Sequence, residues 1–179
     1  MGTEAGLPGP LVSVVIPAYN AAASLAEAVA SVQRQSLAEF EILIVDDASR
    51  DGTLEAARRL AAGDRRITVI AAGENRGPAA ARNLGLAAAK GAWIALLDAD
   101  DAYQPERLAR LVAAAQACGA DLLADNLLLE DEDGNVAPML DPAAGDACAA
   151  VSAAGFLLGN LPDRAQPRKS YGWTRCRPP

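Results

Sequence analysis

The chain has 179 residues, a formal net charge of −7 and 51% hydrophobic residues. That length suits one domain with a sizeable core, and that apolar share excludes a disordered chain. The acidic balance argues against nucleic acid as a partner, and the absence of histidine removes His-based nucleophilic catalysis and His-ligated zinc.

Met1 to Pro10 lacks the charged and apolar regions of a signal peptide and reads as a disordered lead-in. Leu11-Val-Ser-Val-Val-Ile-Pro17 is a short apolar, β-branched run, which predicts a buried parallel strand closed by Pro17. Ser24 and Glu27 have capping-box spacing, and Leu25, Ala28, Val29 and Val32 then fall on one helical face. Phe40 to Val45 predicts a second strand, Asp46 to Gly52 a turn, and Thr53 to Ala62 a helix. Ile67 to Ile70 is the third strand and Gly73 to Gly77 a loop, with Pro78 suited to the first turn of a helix reaching Ala89. Trp93 to Leu97 is the fourth strand, and Leu108, Leu111, Val112 and Ala115 mark one more helical face. This alternation predicts an α/β fold, a mostly parallel sheet with helices on both faces.

Beyond it, Asp121 to Leu129 is expected to hold one or two strands. Asp133-Gly134 is a turn signal, with Val136 to Leu140 returning antiparallel. Asp141 to Gly159 shows only weak helical patterning, and residues 161–179 form a proline- and arginine-rich irregular tail. No separate second domain is expected within residues 11–160. Cys118, Cys148 and Cys176 have neither metal-ligand spacing nor an even count, which fits a reduced, cytoplasmic compartment. No apolar run reaches membrane-spanning length. The basic tail reads as a solvated end. Its alternative is a peripheral contact with anionic lipid or a polyprenyl-phosphate acceptor at the inner face of a membrane.

In an open α/β sheet, ligands bind beyond the carboxyl ends of the strands. Each predicted strand here ends in a polar cluster. These are Pro17, Tyr19 and Asn20; Asp46, Asp47, Ser49 and Asp51; Asn75, Arg76 and Gly77; and Asp98, Asp100 and Asp101. Four clusters at one edge describe a pocket. Crowded carboxylates at Asp98 to Asp101 repel one another, and a divalent cation removes the conflict. Hard oxygen donors without histidine or thiolate favour Mg2+ or Mn2+. The alternative is a solvated loop whose acids cap the next helix. Asp47 is expected to bond a nucleotide's base or ribose, while Asp51 or Ser49 caps the following helix. Arg76, before a helix N-terminus, suits an anionic group. Arg82 and Asn83 either meet the ligand or stitch the sheet edge to the loop. Tyr19 either stacks on a base or packs under the first helix.

Together these stretches resemble the family 2 glycosyltransferases of the GT-A, Rossmann-like fold. The resemblance is carried by Val12-Ser-Val-Val-Ile-Pro-Ala-Tyr-Asn20, Ile44-Val-Asp-Asp-Ala-Ser-Arg-Asp-Gly-Thr53, Asn75-Arg-Gly-Pro-Ala-Ala-Ala-Arg-Asn-Leu-Gly85 and Trp93-Ile-Ala-Leu-Leu-Asp-Ala-Asp-Asp101. It is specific from Leu11 to Leu111 and implies a nucleotide-sugar-binding domain over residues 11–160. It implies a nucleotide-diphosphate sugar donor, first of all a UDP-sugar, and a saccharide or lipid-linked acceptor. Pro17, Tyr19 and Asp47 would line the nucleoside pocket, with Arg76 near the nucleotide. Asp98 would contact the ribose or donor sugar, and Asp100 would hold the metal. Transfer would proceed with inversion, in the setting of surface-polysaccharide synthesis.

The family's general base lies downstream of the D-x-D loop, and none of Asp121, Asp125, Glu130, Asp131, Glu132, Asp133, Asp141, Asp146 or Asp163 matches its context, so the catalytic residue stays unassigned. Lys169-Ser-Tyr-Gly-Trp173 looks like the entry to an acceptor half that Thr174-Arg-Cys-Arg-Pro-Pro179 does not continue. The expectation is a chain truncated or frame-shifted before that half, with exposed apolar surface favouring a homodimer. One alternative is a non-catalytic nucleotide-sugar-binding fragment. Another, a sugar nucleotidyltransferase, is disfavoured because Ala18 to Ala23 lacks a glycine-rich basic loop.

Overall fold

The β-branched run Val12, Val14, Val15 and Ile16 suits a strand covered on both faces, and all seven residues of β1 (Val12–Ala18) are buried. The computed structural model describes residues 9–123, 125, 128–130, 135–138 and 174–176. Strands β2 (Phe40–Asp46), β3 (Ile67–Ala71) and β4 (Trp93–Leu96) follow as predicted, each within a residue of its expected bounds. Pro17 does not end β1: it lies past the last β4 partner, Val15 opposite Leu96, where a missing N–H breaks no ladder bond on that side.

Helices α1 (Leu25–Gln33), α2 (Thr53–Gly63), α3 (Pro78–Ala88) and α4 (Arg107–Cys118) alternate with these strands. Leu25, Val29 and Val32 of α1, Ala57 of α2, and Leu108 and Val112 of α4 pack on one face, against Val14, Ile16, Ile42 and Ile44. Ala81 of α3 packs on the other, against Val15, Leu43 and Val45. At Gly85 a Cβ would fall 2.3 Å from Val15 Cγ1, so α3 reaches the sheet only because that residue is glycine.

Two further strands, β5 (Leu122–Leu123) and β8 (Thr174–Cys176), complete a six-stranded sheet of order β3-β2-β1-β4-β8-β5. The β1–β2, β1–β4 and β2–β3 pairs are parallel, and β8 is antiparallel to both β4 and β5. Thr174–Cys176 is thus a strand inside the stretch expected to be irregular, and the rest of that stretch lies outside the described residues. Backbone groups alone make a three-residue ladder, which is too short to leave a hydrophobic period in the sequence.

The capping box is also corrected. Ser24 occupies the N-cap of α1, but its backbone is helical (φ −107°, ψ −29°) rather than extended, and its side chain caps nothing. The Glu27 N–H bonds the Ser24 carbonyl instead, and the Glu27 carboxylate pairs with Arg34 at 2.8 Å.

The chain divides into two units, Met1–Ala124 with Gly172–Pro179, and Asp125–Tyr171. Within the second, β6 (Leu128–Glu130) and β7 (Val136–Pro138) pair antiparallel, as the Asp133-Gly134 turn signal predicts. That turn itself, the Asp141 to Gly159 stretch and most of the lead-in and tail lie outside the described residues. Among the described residues, no helix is long and apolar enough to cross a membrane.

Candidate functional site

The parallel register sets Ala18, Asp46 and Ala71 side by side, so three strands finish at one level. From β1 the sheet grows one way to β2 and the other way to β4, and the loops after β1 and β4 diverge at that switch point.

The loops after β1 and β2 are bonded to each other. The Asn20 N–H donates to Ser49 Oγ at 3.0 Å and the Arg50 N–H to Asn20 Oδ1 at 2.9 Å. The Ala21 N–H donates to Thr53 Oγ1 at 2.8 Å and the Ala22 N–H to Asp51 Oδ2 at 3.2 Å. Asn20 (φ 50°) and Ala48 (φ 55°) take the left-handed backbone these loops require. Neither Ser49 nor Asp51 occupies the N-cap of α2, which falls on Gly52 without a side-chain cap bond. Asp51 instead holds the Thr53 hydroxyl and N–H, and the hydroxyl bond holds the Asp51 carboxyl below its ordinary pKa. Tyr19 stands on the surface, 46% exposed, so packing under α1 is not its role.

Asp47 is buried. Its Oδ1 accepts the Arg76 N–H at 3.0 Å and its Oδ2 the Gly77 N–H at 2.8 Å. Gly77, at φ 86°, is the N-cap of α3. The anion at that helix N-terminus is therefore Asp47 itself, and its carboxylate fixes the loop that presents Arg76. The Arg76 side chain is exposed, 3.7 Å from Glu74. Both residues border a cleft of about 480 Å³ that Ile70, Ala72 and Leu84 also line, and none of Pro17, Tyr19, Asp47, Asp98 or Asp100 does. Asp46 is buried with Oδ2 accepting the Ser49 N–H at 3.3 Å, and its Oδ1 has no hydrogen-bond partner among the described residues.

At the end of β4, Asp98 and Asp100 have separate environments. Arg82 of α3 donates to Asp98 Oδ1 at 2.6 Å, a bond that stitches the helix to the sheet edge. The Asp98 charge is thus already balanced, and the repulsion read from the sequence is smaller than three adjacent acids suggest. The Asp101 N–H closes a turn on the Asp98 carbonyl at 3.1 Å. Asp100 is exposed, and no hydrogen bond or ion pair engages it among the described residues. Among those residues no group of three or more acidic, thiol or imidazole side chains exists to cage a metal. One free carboxylate fits Mg2+ or Mn2+ whose remaining positions are filled by ligand phosphates and water.

Two buried polar residues of this region escape the sequence analysis. Gln35, together with Ser31 on α1, bonds the segment following Asp101. The available signal is positional: Gln35 continues the Leu25, Ala28, Val29, Val32 apolar stripe, where a polar side chain needs a partner.

An open sheet with polar loops gathered at the carboxyl ends of its parallel strands defines an α/β protein with a ligand-binding edge. The description Glycosyl transferase family 2 matches residues 13–166, and the chain belongs to that family. Its fold is GT-A. The chain is 37% identical over 162 residues to the succinoglycan biosynthesis protein ExoO of Rhizobium meliloti, covering 90% of this chain and 46% of ExoO. It is similar to S. aureus TarS 1-349, solved in complex with UDP-GlcNAc, at 30% identity and a TM-score of 0.59, covering 63% of this chain and 33% of that one. It is also similar to the mannosyltransferase PcManGT of Pyrobaculum calidifontis, solved with GDP-Man and Mn2+, at 30% identity and a TM-score of 0.61, covering 65% and 35%. The chain spans about half the length of the curated relatives it matches.

Proposed function

We propose that this chain carries the donor-binding part of a metal-dependent glycosyltransferase. It would transfer a sugar from a nucleoside diphosphate to an acceptor hydroxyl, with inversion, in the cytoplasmic assembly of a surface polysaccharide. The observation that carries this is the pair of environments after β4: Asp98 is fixed by Arg82, while Asp100 two residues on is exposed and unengaged among the described residues. Family membership and the likeness to structures holding UDP-GlcNAc or GDP-Man support the donor class, with a UDP-sugar the first to test.

Pro17 and Tyr19 would line the nucleoside pocket. Asp47, whose two oxygens already take backbone N–H groups, acts on the nucleotide through its remaining lone pairs and by fixing the Arg76 loop. Asp98, oriented by Arg82, would accept a hydroxyl of the ribose or donor sugar. Asp100 would hold Mg2+ or Mn2+, which when bound neutralises charge on the departing diphosphate.

In the reaction, the acceptor oxygen forms a bond to the anomeric carbon from the face opposite the diphosphate. The bond from that carbon to the phosphate oxygen breaks, and the diphosphate leaves with the electron pair. The acceptor proton passes to a carboxylate base, which is left unassigned. Calorimetry with UDP and GDP, with and without Mn2+, tests the proposal. Metal-strengthened binding of at least one nucleotide is expected, and its absence for both would overturn it.

A further inference from the structure

Gln35 lies just past the end of α1 and is 8% exposed. Its Nε2 donates to the Gln104 carbonyl at 2.7 Å and to the Ser31 carbonyl at 3.3 Å, and its Oε1 accepts the Leu108 N–H at 2.9 Å. Leu108 is the second residue of α4, whose own N-cap, Glu106, makes no side-chain cap bond. Gln35 thus supplies, from the segment just after α1, the acceptor that an N-cap side chain ordinarily provides.

Two neighbours reinforce the join. Ser31 Oγ accepts the Tyr103 N–H at 3.0 Å, and the Ser36 N–H donates to the Pro105 carbonyl at 2.8 Å. Apart from the bond to Ser31, these bonds end on residues Tyr103 to Leu108, the downstream limb of the acidic loop. Its upstream limb is held by Arg82 on Asp98. Asp100 stands between two fastened ends. An apolar side chain of equal length would fill the Gln35 site, so packing alone does not require an amide there.

We propose that Gln35 is a positioning residue for the Asp100 carboxylate, setting where the acidic loop presents it to a nucleotide-bound divalent cation. This role rests on the metal-dependent function proposed above. A shift of the Gln104 to Leu108 backbone moves Asp100 relative to the phosphates without removing any ligand, and metal affinity responds to such supporting contacts.

The test compares Gln35→Met with Gln33→Met. The second variant removes an α1 bond to Asp64 Oδ2 of similar length, 2.9 Å, that does not involve the acidic loop. Mn2+ binding is followed by electron paramagnetic resonance of the free ion, with UDP or GDP in excess. Amide hydrogen exchange is followed in parallel. In Gln35→Met, Mn2+ affinity should fall about 10–100-fold. Exchange at Tyr103 and Leu108 should accelerate, and nucleotide binding without metal should not change. Gln33→Met should retain wild-type Mn2+ affinity. A folded Gln35→Met protein with wild-type Mn2+ affinity overturns the positioning role and leaves the proposed function standing. A wild-type chain that takes up no Mn2+ with either nucleotide overturns both. Should Gln35→Met not fold, Gln35→Glu keeps the acceptor for Leu108 and loses the donor to Gln104. It should bind Mn2+ less tightly than wild type, and equal affinity would overturn the role.

Discussion

Arg82 Nη2 lies 2.6 Å from Asp98 Oδ1, tying α3 to the end of β4 through side chains that are both mostly buried. Replacing Arg82 with leucine leaves Asp98 without its cation and frees it to rotate away from the hydroxyl it is proposed to accept. A lost hydrogen bond to a charged group is worth about 1.5–3 kcal/mol, so affinity for the donor nucleotide should fall about tenfold or more. Calorimetry with the nucleotide found to bind checks this. Unchanged affinity would restrict the pair to holding helix against sheet.

Gly85→Ala should destabilise the fold by about 1–3 kcal/mol, because the new methyl falls 2.3 Å from Val15 Cγ1 in a closely packed face. Removing those methyls with Val15→Ala should make the double variant more stable than the sum of the two single losses. Urea denaturation of the four proteins measures the coupling. Strict additivity would show that α3 relieves the clash by moving.

Acid should weaken one particular clamp. The Arg66 guanidinium bonds both Asp64 oxygens, and Gln33 adds a further bond, holding the Asp64 carboxyl well below the usual carboxylate range. A carboxyl with a depressed folded pKa contributes stability in full above its unfolded value, about 3.9, and loses it as pH falls below that value toward the folded pKa. Asp64→Asn should therefore cost about 1–2 kcal/mol near neutrality, and the gap to wild type should narrow below about pH 4. Urea midpoints across that range would show the narrowing, and a constant gap would contradict it.

The sequence was most legible where one period dominates. The β-branched runs of β1 and β2 and the Leu108, Leu111, Val112, Ala115 face needed no tertiary information. It was least legible where an element is only a three-residue ladder, as at Thr174–Cys176, and where a polar side chain has several chemically sensible partners. Ser24 has cap spacing, but its helical backbone angle sends the first-turn amides elsewhere. Asp47 was placed at the ligand edge by motif. That both its oxygens bond the Arg76 and Gly77 backbone depends on the crossing of two loops 29 and 30 residues apart, which spacing does not encode. Gln35 was hidden for the converse reason: its partners lie 69 and 73 residues away in sequence.

Asp100 tests the proposed chemistry most directly. Because it is exposed and bonds nothing among the described residues, Asp100→Asn should leave thermal stability near wild type, within about 0.5 kcal/mol. Titration of the binding nucleoside diphosphate with and without Mn2+, on wild type and Asp100→Asn, is the decisive measurement. Wild type should bind more tightly with Mn2+, and the variant should bind equally with and without it. A variant that keeps the full Mn2+ enhancement would contradict the assignment of the metal to Asp100.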